Sequence, residues 1–80
     1  MGDEIQAIVQ KIVMEGRHGP YAVATSISVL GSITFSLTKE VWGEEDRPEP
    51  GTFVILNKLR KKRAGWRAMN GRFVRPSDKQ

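Results

Sequence analysis

Cysteine is missing from this chain of 80 residues. No disulfide and no thiolate ligand can therefore reinforce a core which, at this length, draws in only about 60% of the surface exposed by the unfolded chain. A single histidine, His18, cannot build a metal site alone. Long apolar runs are also missing: none approaches the ~20 residues of a membrane-spanning helix. The opening MGDEIQAIVQ has no cationic segment ahead of a hydrophobic one, so a soluble, cytoplasmic protein with no membrane partner is expected. Catalytic signatures are absent as well. There is no glycine-rich phosphate loop, and the carboxylates of Glu44, Glu45, Asp46 and Glu49 crowd one turn-rich stretch with no base or nucleophile paired to them. A non-enzyme without cofactor or metal is the expectation.

The most informative scarcity is of acid in the C-terminal part. Residues 1–56 carry four cations against eight acids, whereas residues 57–80 carry nine against one, and the net +4 hides that division. Between Asn57 and Arg75 stand Lys58, Arg60, Lys61, Lys62, Arg63, Arg67, Arg72 and Arg75, with no acid among them. Acids would have kept a turn soluble equally well. Such polarity points to an anionic partner, RNA or single-stranded DNA first, with an acidic protein or a membrane surface next.

Glycine and proline punctuate the chain at short intervals, as in GRHGP, RPEPG and AGW, which predicts short strands between frequent turns. YAVATS (21–26) and SITFSL (32–37) predict one hairpin; TFVILNKL (52–59) and WRAMNGRFV (66–74) predict a second around the basic RKKRAG, with Gly65 supplying a positive φ. The first segment reads two ways. Ile5, Ile8, Val9, Ile12 and Val13 have helical spacing, with Gly16 as a C-terminal cap, yet IVQKIVM also reads as a bulged strand leading into the next.

Taken in order, GPYAVATS, SITFSL, PEPGTFVIL and KKRAGWRAMNGRFV resemble the successive strands of the oligonucleotide-binding (OB) barrel, and within it the cold-shock type, over roughly residues 4–75. The resemblance implies an all-β fold, a small five-stranded antiparallel OB-fold-like barrel, as one domain across 1–80 with 76–80 as a flexible tail. It also implies single-strand binding by aromatic stacking from the second and third strands. Tyr21 and Phe35 fall at aromatic positions of that pattern, but Val23, Ser32 and Thr34 stand where the family places two phenylalanines and a histidine. Each stacked base is worth ~1–3 kcal/mol, so phosphate contacts must carry more of the affinity here.

The candidate nucleic-acid-binding residues are accordingly Arg17, His18 and Tyr21 at the second strand, Lys58, Arg60, Lys61, Lys62 and Arg63 on the basic hairpin, and Trp66, Arg67 and Arg72 on the last strand. Alternation predicts Arg67, Met69, Gly71 and Phe73 inward and Trp66 outward beside cations, placed to stack a base; the competing reading has Trp66 capping the barrel. Phe35 is predicted in the core, leaving Ser32, Thr34 and Ser36 on a small polar face. The acidic stretch 40–51 is predicted to be a solvated loop with Trp42 tucked onto the barrel. The competing function is a protein-interaction adaptor that sets the same basic hairpin on an acidic partner.

Overall fold

A computed structural model of the chain describes residues 4–17 and 19–78. Five strands, β1 (Ile5–Val13), β2 (Tyr21–Ser26), β3 (Val29–Ser36), β4 (Phe53–Lys62) and β5 (Gly65–Phe73), are followed by one 3-10 turn at Pro76–Asp78. They close into a barrel in the order β1-β2-β3-β5-β4. All neighbours are antiparallel except β3 and β5, which run parallel through Ile33 beside Trp66 and Thr34 beside Arg67. The protein is thus all-β, with an architecture compatible with an OB-like fold.

The ambiguity over the first segment resolves as a strand, and its helical spacing has a physical cause. The register of β1 against β2 shifts between Val9 and Lys11, so one extra residue resets the alternation. Ala7 and Val9 are buried before the bulge, and Ile12 packs on the core after it, a three-residue step that imitates a helix. The bulge also bends β1, whose first half pairs with β4 and whose second half pairs with β2.

Alternation is regular in the first hairpin. Ala22 and Ala24 of β2 face inward opposite Ile33 and Phe35 of β3, and all four have no exposed surface. The small residues on one strand leave room for Phe35. The turn is tighter than predicted, with only Ile27 and Ser28 outside the strands.

Trp42, in the connection between β3 and β4, is buried in the core cluster and bridges to Gly71 of β5. It packs at 5.7 Å from the Phe35 ring and edge-on to Phe73 at 4.9 Å, and its indole N–H donates to the Asp46 carbonyl at 2.7 Å. The prediction that it tucks onto the barrel holds.

Two expectations for the second hairpin change. The basic run is not a six-residue turn: β4 continues to Lys62, which pairs with Gly65 across Arg63 and Ala64. Gly65 makes this possible at φ +146°, and a Cβ there would lie 2.5 Å from the Ser32 carbonyl oxygen. Arg60, Lys61 and Lys62 therefore ride on a strand. The inward face of β5 is also not a single alternating set. Gly71 is buried and Phe73 packs on the core as expected, but at the other end Ala68 is fully buried and Trp66 packs on the core beside it. The cause lies across the ladder. Lys58 has φ +56°, and this left-handed residue twists β4 so that inward positions step from Val54 and Leu56 to Leu59, switching β5 with it.

Candidate functional site

The register sets one row of side chains across all five strands. Lys11 lies opposite Val23, Val23 opposite Thr34, Thr34 beside Arg67 and Arg67 opposite Arg60. Their strand neighbours Ala22, Ala24, Ile33, Phe35 and Ala68 are buried, so the row lies on the outer wall. Two arginines thus face each other directly on adjacent strands. Like charges so placed repel, and among the described residues neither has an acid in ion-pair range.

Beside this row is a cleft of about 490 Å³. Tyr21, Thr34, Ser36 and Arg67 form its floor, and the turn between β1 and β2 brings Arg17, along with one acid, Glu15, to its rim. Tyr21 is half-buried and Arg17 exposed; His18, named with them, lies outside the described residues. The predicted polar face narrows to Ser32 and Thr34, because the Ser36 hydroxyl donates to the Thr38 hydroxyl at 3.1 Å and accepts from its backbone N–H at 3.2 Å.

At the hairpin end Lys58, Arg60, Lys61, Lys62 and Arg63 are all exposed. Among the described residues they form no ion pair. Trp66 is not outward. It is half-buried over the core, its indole N–H donates to the Leu30 carbonyl at 3.1 Å, and the Lys61 ammonium sits 5.0 Å from its ring centre. The capping reading describes it better than a free stacking surface does.

Arg72 stands apart from this group. It pairs with Glu4 at 3.7 Å and donates to the Phe73 carbonyl, while Arg75 pairs with Glu44 at 3.7 Å. Glu44 also accepts from the Phe73 N–H at 3.2 Å, and Gly43 bonds Gly71. The acidic connection therefore docks at the far end of β5, about 20 Å of strand from Gly65 at ~3.3 Å per residue, and leaves the basic tip uncovered.

Sequence reasoning passed over Lys11, whose signal was one cation interrupting the apolar IVQKIV. It also passed over Ile27 and Leu30, which stand 106% and 92% exposed; the Leu30 carbonyl is bonded by Trp66 next to the basic tip, whereas Ile27 lines a cleft with Gln6, Ile8 and Phe53. Among the described residues, no group of three or more His, Asp or Glu side chains converges as a metal centre needs. No protein-family model matches the chain, and no curated protein or solved structure matches it significantly.

Proposed function

We propose that this protein is a non-enzymatic nucleic-acid-binding barrel that holds its ligand chiefly by phosphate contacts, as a divergent relative of the cold-shock type. The observation that carries the reading is the directly opposed pair Arg60 and Arg67, without acid partners, on two strands that run on to the basic tip. A fold gains nothing from that repulsion. A polyanion lying across the row relieves it, because each phosphate brings charge between the guanidiniums.

In this reading Arg60, Lys61, Lys62, Arg63 and Arg67 neutralise the backbone, with Lys11 and Lys58 at the margins. Arg17, Tyr21 and Thr34 line a cleft for one nucleotide. Stacking is limited to the Tyr21 ring, since Phe35 is in the core and Trp66 is already engaged. Weak sequence preference follows, because phosphates carry no sequence information.

An oligonucleotide titration at several salt concentrations tests this. Five phosphate contacts give a slope of log affinity against log salt of about −3.5 on a single strand, and a flat response removes the proposal. The triple substitution Lys61→Glu, Lys62→Glu, Arg63→Glu is expected to abolish binding. If that variant keeps oligonucleotide affinity and loses only a protein partner, the adaptor reading replaces this one.

A further inference from the structure

The two turns at the hairpin end of the barrel carry opposite chemistry. One ends in Lys62 and Arg63; the other carries Ile27, with Leu30 on the strand that leaves it, and these are the most exposed large hydrophobic residues described. They are bound together. Trp66 of β5 donates to the Leu30 carbonyl, and at Gly31 a Cβ would lie only 3.7 Å from the Gly65 Cα. These contacts, with the closer approach of Gly65 to the Ser32 carbonyl oxygen on a ladder paired as far as Lys62, set the start of β3, and Leu30 with it, beside the basic turn.

Resting on the nucleic-acid reading above, we infer that the form bound is helical, a duplex or hairpin stem, with the basic β4–β5 turn on phosphates and Ile27 and Leu30 pressed as a wedge against a base step. Three observations converge on it. The wall between β2 and β5 presents Val23, Ser32 and Thr34, none of which carries a ring, so an unpaired strand finds little to stack on. A binder reduced to phosphate contacts gains more from the ligand with the higher charge density: salt dependence per contact is about −0.9 on a duplex against about −0.7 on a single strand. Finally, exposed aliphatic side chains at the same end of the barrel as a run of cations are the equipment for entering a base step, where apolar wedges unstack neighbouring pairs while cations hold the backbone. Ile27 and Leu30 keep almost no surface against the barrel, and a groove-seeking protein partner would have to supply the matching cavity itself.

The test presents one sequence to the full chain as a stem-loop and as an unpaired strand, in RNA and in DNA, by fluorescence anisotropy at fixed moderate salt. The stem-loop is expected to bind about tenfold more tightly, with the steeper salt slope. The double variant Ile27→Ser, Leu30→Ser changes only exposed side chains, and circular dichroism checks that it folds. It should keep single-strand affinity and lose most of the stem preference, and it should no longer brighten a 2-aminopurine placed in the stem. Equal or tighter binding of the unpaired strand overturns the inference, as does a serine variant with unchanged preference. Failure to bind any nucleic acid overturns the underlying reading instead. Anionic vesicles that retain the protein through Ile27 and Leu30, with stem binding unaffected by the serine variant, would reassign this end to a lipid surface.

Discussion

At the scale of single residues, one like-charged pair and one left-handed lysine oppose folding and invite measurement. Arg60 and Arg67 repel across the β4–β5 ladder, so Arg60→Glu, which turns a like pair into an opposite one, is expected to raise stability by ~0.2–1 kcal/mol in low salt. The same change should weaken oligonucleotide binding. Urea melts and titrations on one sample check both directions, and a variant that loses stability contradicts the account. Lys58 holds φ +56°, a conformation costing L-residues ~1–2 kcal/mol, part of which the entropy lost by glycine offsets. Lys58→Gly should therefore stabilise by roughly 0.5–1 kcal/mol and Lys58→Val destabilise by ~1–2 kcal/mol, read again from denaturant midpoints. Nothing in NKLR announces a left-handed lysine. That is why simple alternation, followed from Phe73 back to Trp66, put the tryptophan on the wrong face.

At the scale of elements, the connection between β3 and β4 docks at the end of β5 away from the basic turn. Trp42 is 2% exposed between Phe35 and Phe73, with its N–H satisfied by Asp46. Trp42→Ala removes both aromatic contacts and is expected to cost about 3–5 kcal/mol, most of the stability of a small domain. Thermal melts should show the loss, and amide exchange should show the connection opening along with the end of β5. A variant that melts with the parent protein would mean the tryptophan only rests on the barrel. Most of the strands were legible beforehand. YAVATS matched β2 residue for residue, because four alternating positions and a flanking glycine-proline pair left little choice. The extent of the basic hairpin was not legible, since RKKRAG, four cations with an alanine and a glycine, suits a loop by composition and becomes strand only when a partner strand takes up its backbone groups.

At the scale of the whole molecule, charge is divided along β5, with Glu44 and its neighbours at one end and the uncompensated cations at the other. In the free protein this concentration is a load on the fold. The melting temperature should rise as salt is added from very low levels, because the Debye length contracts to about 10 Å at 0.1 M and screens the tip. A melting temperature that falls with salt would mean that attractions, not repulsions, dominate the surface. The sequence by itself determined the all-β class, the polarity of charge and the buried places of Phe35 and Trp42, because these follow from local patterning and from the cost of exposing large aromatics. Tertiary structure alone decided which cations stand together. The bulge after Val9, the twist at Lys58 and the crossing that sets β3 beside β5 fix the register, and register brings Lys11, Thr34, Arg67 and Arg60 into one row from four separate stretches of chain. Pairing of that kind is set by closure of the barrel, which no local window of residues contains.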